Sequence, residues 1–160
     1  MGVRLKDYRV KEEKRGKVHG LRVHFDADKA PKDAISMMWD VEQFTRSFPD
    51  VLELEVLESS ATHQRVRYVI DAKFKKLSYV LNRNLRSDDT RHEITWNMVK
   101  GDLRSVDGAW RITPRDDGRS DIEYESFVDA SVFIPSAVIR QGALQKVDEM
   151  VTRVRGLLRG

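Results

Sequence analysis

The sequence predicts an α+β fold in which a curved antiparallel sheet of about seven strands wraps around one long C-terminal helix. Three observations predict this class. Strand-like runs follow one another from residue 51 to residue 130 with only short turns between them, which is typical of an antiparallel meander. Two short helical stretches come before these runs, and an amphipathic helix over 136–158 follows them. Such a helix needs an apolar surface, and the concave face of a bent sheet supplies one, with room for a cavity between the two.

The first elements are an arm, a strand and a helical pair. Residues 1–16 are rich in Lys and Arg and lack periodicity, so we expect a loose or partly extended arm. Apolar and polar residues then alternate over 17–26, which predicts the first strand. We expect Asp28 to cap the next helix, with Pro31 in its first turn. Apolar residues recur at helical spacing over 31–48, which predicts one kinked helix or two short ones.

Six further strands are predicted, because apolar and polar residues alternate along each. Their ranges are 51–58, 64–74, 77–86, 92–99, 103–113 and 120–130. The last two are joined at Asp117-Gly118, where glycine supplies the positive φ of a tight turn. In the closing helix, Gly142 lies early in the apolar stripe. Gly142 either lets the helix bend and opens a portal, or packs closely against Trp39 or Trp110.

Length and composition indicate one domain over 17–160 behind the arm. The chain has 160 residues, 40% of them hydrophobic, which is enough for a real core. No apolar run approaches the ~20 residues of a membrane-spanning helix. Charged residues rather than an apolar segment follow Met1, so we expect a cytoplasmic protein by default. The absence of cysteine excludes disulfides and thiolate metal sites.

Neither a metal nor another cofactor is expected. The four histidines, His19, His24, His63 and His92, are scattered, and none has a second histidine one helical turn away. His19 and His24 point to opposite faces of one predicted strand. No nucleophile elbow and no phosphate-binding glycine loop occur in the sequence.

Four short motifs, in this order along the chain, point to a known family. They are Trp39-Asp-Val-Glu-Gln-Phe44, Phe48-Pro49, Gly108-Ala-Trp-Arg-Ile-Thr-Pro114 and Ile134-Pro135. With the order of elements, they resemble the START / Bet v 1-like superfamily, and within it the polyketide cyclase/dehydrase and lipid-transport group, which includes Coq10-type quinone-binding proteins. The resemblance covers residues 18–158. It implies a helix-grip fold with an internal apolar pocket for a lipid, sterol, quinone or polyketide, and it implies no particular reaction.

The strand faces that point inward predict the wall of such a pocket. The predicted ligand-binding residues are Tyr68, Ile70, Tyr79, Leu81, Arg83, His92, Ile94, Trp96, Trp110, Tyr124 and Ser126 on strands, with Val138 and Gly142 on the closing helix. This wall is mainly apolar with a few polar groups, which is typical of a small-molecule site. The alternative is a solid core with its tyrosines and tryptophans at the ends that contact water.

Arg83, His92 and Tyr68 are the candidates for catalytic chemistry. A buried guanidinium needs a partner, and for Arg83 this is a ligand oxygen, or Asp71 or Glu93 in an internal ion pair. The aromatase/cyclase relatives have an arginine on the corresponding strand that orients the polyketide, but the residues beside Arg83 depart from their serine-arginine context. A register slip of one residue would instead turn Arg83 to solvent. His92 and Tyr68 could move protons, although a lone histidine on an apolar strand is more often structural.

The leading hypothesis is therefore a non-enzymatic protein that binds or transfers a hydrophobic small molecule. The alternative is a polyketide cyclase, aromatase or dehydratase that uses the same pocket. A ribosome- or RNA-associated protein is a weaker third reading, because the outward faces mix Glu and Arg, and no DNA partner is expected. The basic arm and the basic residues over 140–159 could hold the portal near an anionic membrane, or they are a solvated tail and cations near a helix end.

Overall fold

The computed structural model describes residues 7–16, 18–73, 75–129 and 136–160, which form eight strands and three helices. In chain order these are β1 Arg9–Arg15, β2 Val18–Ala27, α1 Pro31–Trp39, α2 Val41–Arg46, β3 Val51–Ser59, β4 His63–Asp71, β5 Lys76–Ser87, β6 His92–Gly101, β7 Ser105–Pro114, β8 Ser120–Asp129 and α3 Ser136–Leu157. Several parts of the predictions lie outside the described residues, namely residues 1–6, Lys17, Phe74, Ala130 and Ile134-Pro135.

The eight strands form one antiparallel sheet in the order β1-β2-β8-β7-β6-β5-β4-β3. Strands β3 to β8 follow one another as a meander, and β8 then pairs with β2. The predicted fold class is confirmed: a curved antiparallel sheet holds the long C-terminal helix α3, and two short helices follow β2. Among the described helices, none combines the length and apolar character that a membrane span needs.

The strand count differs from the prediction because residues 9–15 of the expected arm form β1. This edge strand pairs with β2 from Arg9 opposite His24 to Arg15 opposite Val18. Its side chains are mostly exposed, so no apolar alternation marked it in the sequence. Main-chain pairing holds β1 in place, together with ion pairs such as the one between Arg15 and Asp107 at 2.8 Å.

The helical pair breaks at Asp40, so the prediction of two short helices holds rather than that of one kinked helix. Pro31 opens α1 as expected, but the residue before the helix is Ala30, and Asp28 is not the cap. Asp28 instead accepts a hydrogen bond from Nη2 of Arg119 at 2.9 Å. Asp40 begins the second helix, where its carboxylate accepts from the backbone N–H of Gln43 at 3.2 Å.

Two apolar clusters lie on the inner side of the sheet. The larger joins β2, β6, β7 and β8 to α1 and α3, and its fully buried members include Met38, Ile94, Ile112, Ile122, Val151, Val154 and Leu158. The smaller cluster has Leu77, Leu81, Leu103 and Val106 as its buried members. Because each cluster excludes water, apolar burial of ~25 cal/mol per Å² stabilises both.

The two halves of α3 are held differently. Its C-terminal half is fixed by buried Val151 and Val154 and by the ion pair between Arg155 and Asp26 at 2.7 Å. Its N-terminal half is more exposed, and Val138 retains 48% of its accessible surface. The space between this half and the sheet is where the candidate site lies.

Candidate functional site

A cavity of about 310 Å³, which we call the inner chamber, lies between the two apolar clusters. Strands β4 to β8 form its floor, and α2, the start of β3 and Met150 of α3 cover it. Its wall is largely aromatic, with Phe44, Phe48, Tyr68, Tyr79, Trp96, Trp110 and Tyr124. The wall also takes Leu81 and Val106 from the smaller cluster.

A second cavity of about 150 Å³, which we call the outer chamber, adjoins the inner one. It lies between the start of β2, β8 and the N-terminal half of α3. The two chambers share Tyr124, Ser126, Val128 and Met150 as lining residues. The outer chamber also reaches Arg140, whose side chain is 41% exposed, so it opens to solvent beside this residue.

A glycine on β7 makes room for the aromatic floor. Gly108 lies opposite Trp96 of β6, and a Cβ built on Gly108 would lie 2.5 Å from Cζ2 of Trp96. The Trp96 ring therefore lies directly over the backbone of the neighbouring strand. Tyr124 stacks on Trp96, with ring centroids 5.9 Å apart, and contacts Trp110 at 4.5 Å. This contact network fixes the floor from three adjacent strands.

Arg83 is buried, at 4% exposure, and faces inward as predicted from the alternation of β5. Its Nη2 donates to the carbonyl oxygen of Met38 at 2.9 Å, and its Nη1 donates to that of Trp39 at 3.3 Å and to Oε1 of Gln64. The two carbonyls belong to the last residues of α1, which have no partner within the helix. Burial lowers the pKa of Arg83 because desolvation penalises the cation, but arginine stays protonated at neutral pH.

Neither carboxylate considered as an internal partner reaches Arg83. Glu93 accepts from Nε of Arg111 at 2.8 Å, on the other face of the sheet. Asp71 accepts from the backbone N–H of Lys73 at 2.8 Å, in the turn after β4. Alternation placed both side chains on the outward face in the sequence, so an ion pair with inward-facing Arg83 would have needed a register slip.

Three half-buried tyrosines line the inner chamber. Burial raises the pKa of Tyr68, Tyr79 and Tyr124, and the charge of Arg83 partly offsets this rise for Tyr68. The rings of Tyr68 and Tyr79 lie side by side, with centroids 5.6 Å apart. Within the described residues, Tyr124 has Ser126 as a hydrogen-bond partner, whereas the hydroxyls of Tyr68 and Tyr79 have none.

Eight of the predicted wall residues line the inner chamber. They are Tyr68, Tyr79, Leu81, Arg83, Trp96, Trp110, Tyr124 and Ser126. All eight come from strands whose alternation was clear in the sequence, so one register predicts their common direction.

The remaining predicted wall residues lie elsewhere. Ile94 is fully buried inside the larger cluster, and Ile70 packs against the smaller one. His92 is the first residue of β6, and its Nδ1 lies 2.8 Å from Oγ of Ser87 at the sheet margin. A side chain that points to the inner side of the sheet does not always line the cavity, because the strands are longer than the cavity.

The two predicted helix residues are also outside the chamber linings. Val138 is largely exposed. A Cβ built on Gly142 would have no atom within 4 Å, so the expectation of close packing against Trp39 or Trp110 is wrong.

Sequence reasoning missed the lining residues contributed by the helices and turns. Phe44, Thr45 and Phe48 enter from α2 and the residue pair after it, and Met150 enters from α3. Phe44 and Phe48 were part of the motifs that carried the family resemblance, and Met150 was part of the apolar stripe. Their patterns predicted burial, but only the packing of the helices shows which buried residues face empty space.

Known proteins are similar to this chain in family and in fold. A family model described as "Polyketide cyclase / dehydrase and lipid transport" matches residues 28–155. No curated protein sequence matches the chain.

Three solved structures have a similar fold. A STAR-related lipid transfer protein from Xanthomonas axonopodis has 17% identity and a TM-score of 0.84, over 99% of this chain and 97% of that one. Human STARD10 has 11% identity and a TM-score of 0.82, over 98% and 71%. The Zhui aromatase/cyclase from Streptomyces sp. R1128 has 15% identity and a TM-score of 0.67, over 94% and 91%. At such identities the likeness shows the fold alone.

Proposed function

Because the chain belongs to the polyketide cyclase/dehydrase and lipid-transport family, we propose that it binds a hydrophobic small molecule in the inner and outer chambers. The observation that carries the proposal is an aromatic cavity of about 310 Å³ that adjoins an outward-leading space of about 150 Å³. Small-molecule sites are typically clefts of ~300–1,000 Å³ with apolar walls and a few polar groups. The two chambers together lie at the lower end of that range.

Burial of apolar surface would drive binding. A ligand that removes about 200 Å² of apolar area from water gains about 5 kcal/mol at ~25 cal/mol per Å². Strands β4 to β8 hold the floor rigid, so little ordering of the protein opposes this gain. The N-terminal half of α3 has less core contact than its C-terminal half, which makes this side the route of entry in our proposal.

Binding is preferred over catalysis because of where the candidate groups lie. Arg83 and Tyr68 line the inner chamber, but His92 does not. Within the described lining, the one imidazole is that of His19 in the outer chamber, away from Arg83. A cyclisation that moves protons by histidine has no such group beside the aromatic floor.

Membrane attraction is not the main support for the proposal. Arg140, Lys146, Arg153 and Arg155 of α3 each form an ion pair with a carboxylate. Paired cations attract an anionic surface less than free ones, because each carboxylate cancels a positive charge. The proposal therefore rests on the cavity.

Uptake of the neutral dye Nile red tests the proposal. Ser126 lies on the wall shared by both chambers, so the larger side chain of Ser126→Trp should fill the passage between them. We expect its affinity for the dye to fall at least tenfold, as for a lost buried contact of ~1.4 kcal/mol. The matched control is Ser59→Trp, at an exposed position at the end of β3. Equal dye affinity in the two variants, with both folded by circular dichroism, would overturn the proposal.

A further inference from the structure

The charge of the cavity lining has one sign. The described residues that line the two chambers include three cationic side chains, Arg83, Arg140 and Lys146, and no carboxylate. The partners of the two outer cations, Glu12 and Asp50, are not among the lining residues. Arg83, in the inner chamber, is therefore the lining cation without a carboxylate partner among the described residues.

The innermost cation has only neutral partners. A guanidinium has five N–H donors. Arg83 uses both donors of Nη1 and one of Nη2, on two backbone carbonyls and the amide of Gln64. Among the described residues, nothing accepts from Nε–H or from the second Nη2–H, and no carboxylate forms an ion pair with Arg83. A charge buried without an opposite charge is costly, so this cation would gain from an anionic partner.

The two tyrosine hydroxyls that have no partner among the described residues line the same chamber as Arg83, four residues along β4 and β5 from it. Tyr68 and Tyr79 face each other across β4 and β5, and Gln64 faces Arg83 across the same strand pair. Tyr68 is close enough to Arg83 for the two groups to shift each other's pKa. Neither hydroxyl is fully buried, and among the described residues neither has a protein acceptor, so both are available to an acceptor brought by a ligand.

Resting on the proposed function, we infer that the ligand is a single-chain amphiphile whose head group is a carboxylate. The unused N–H donors of Arg83 and the hydroxyl of Tyr68 bind the carboxylate, and the hydroxyl of Tyr79 is a further donor beside it. Donors to a carboxylate form shorter and stronger hydrogen bonds than donors to a neutral oxygen. The apolar body lies on Trp96 and Tyr124 and extends past Met150 into the outer chamber.

The size of the cavity selects one chain. The two chambers, at about 310 Å³ and about 150 Å³, accommodate a body of drug-like size. A lipid with two long chains and a large polar head exceeds that space. A fatty acid or a compact polycyclic acid fits it, with its polar end innermost and its apolar end towards the entrance.

Displacement of Nile red by dodecanoic acid and by its methyl ester, at pH 8, tests the inference. The two probes share the chain and the carbonyl, and only the acid is charged. We expect the acid to bind at least tenfold more tightly than the ester relative to their partition into octanol, because charge-assisted hydrogen bonds are about twice as strong as neutral ones. Equal affinities on that scale would overturn the inference and leave the binding function in place.

Variants assign the preference to residues. Tyr68→Phe keeps the ring and removes one donor, so we expect the preference for the acid over the ester, measured against the same dye in the same variant, to fall several-fold. Arg83→Met should abolish the preference, and Arg65→Met, on the outward face of β4, should keep it. If Arg83→Met does not fold, the result for Tyr68→Phe decides. An unchanged preference in Tyr68→Phe would contradict the assignment of the head group.

The two proposals fail in different ways. If Nile red binds wild-type protein but not Ser126→Trp, while neither probe displaces it, the chambers bind ligands and the carboxylate inference is wrong. If Nile red binds wild-type protein and Ser126→Trp equally, the cavity is not the binding site, and the proposed function is wrong as well.

Discussion

Arginines on the two faces of the sheet have opposite surroundings. On the outward face, Arg111 donates to Glu93 at 2.8 Å and to Glu123 at 2.7 Å, with Glu125 at 3.4 Å. On the inward face, Arg83 donates only to carbonyl and amide oxygens. Arg111 thus contacts three carboxylates. Arg83 is more deeply buried, and no carboxylate of the described residues contacts it.

The difference indicates what each face is for. The outward network joins β6, β7 and β8 and extends through Arg22 to β1 and β2, so it ties adjacent strands together. Half-exposed pairs of this kind contribute modestly to stability, because water and salt screen them. The inward cation ties the end of α1 to β4 and β5, and Arg83 also lines the inner chamber. On the outward face arginine serves cohesion between strands, and on the inward face our proposal adds recognition of a ligand to the same role.

The largest expected effect is the difference in stability between a variant without Arg83 and a variant without Arg111. Arg83→Met leaves the carbonyl oxygen of Met38 and Oε1 of Gln64 buried without their donor, while the Trp39 carbonyl keeps the donor Nε2 of Gln64, so we expect the free energy of unfolding to fall by about 3 kcal/mol. Arg111→Met removes a screened network and should cost about 1 kcal/mol. Urea unfolding measures both. Sodium chloride at 0.5 M should shrink the cost of Arg111→Met and leave that of Arg83→Met nearly unchanged. Equal costs, or the same salt response, would contradict the contrast.

Gly108 offers the next largest effect, because it couples the floor of the cavity to the backbone. A Cβ on this residue would lie 2.2 Å from the carbonyl oxygen of Glu125 and 2.5 Å from the Trp96 ring. Gly108→Ala should therefore lower the free energy of unfolding by about 2 kcal/mol and push Trp96 into the inner chamber, which weakens Nile red binding.

Gly142 supplies the matched control for that substitution. Its Cβ would meet open space, and alanine is the better helix former, so Gly142→Ala should raise the free energy of unfolding by about 0.5–1 kcal/mol. Thermal unfolding and tryptophan fluorescence follow both variants. If Gly108→Ala leaves the free energy of unfolding unchanged, or Gly142→Ala lowers it, the two glycines do not differ as the geometry requires.

The sequence predicted the fold better than it predicted the cavity. Alternation over β4 to β8 fixed which side chains face inward, and Arg83, Tyr68 and Trp110 followed from that single register. It did not predict that His92 and Ile94 would miss the cavity, because the position of a void depends on where the helices cross the sheet. Strand β1 was missed for a related reason: an edge strand exposed on both faces needs no apolar alternation, and its pairing is made by main-chain hydrogen bonds.

Ion pairs between arginine and a carboxylate, like those on the outward face, also occur at Asp26 of β2. One of them, with Arg155, anchors the end of α3. Burial raises the pKa of Asp26, but hydrogen bonds from Arg119 and Arg155 outweigh it and hold the pKa below its ordinary value. A carboxyl with a depressed folded pKa adds stability that is fully present above its unfolded pKa of ~3.9 and is lost as pH falls through the folded value.

We therefore expect Asp26→Asn to lower the free energy of unfolding by no more than about 1 kcal/mol between pH 6 and 7, since both arginines are partly solvated. The difference between wild-type protein and the variant should shrink as pH falls below ~4, because both proteins then lack the charge at this position. Urea unfolding across pH 3–7 measures it, with Asp89→Asn, at an exposed carboxylate that has no ion pair with any described residue, as the control for a general charge effect. If the difference in the free energy of unfolding stays constant across that range, packing of Val154 and Leu158 alone holds the end of α3. Ion pairs between arginine and carboxylates would then stabilise only the outward face of the sheet.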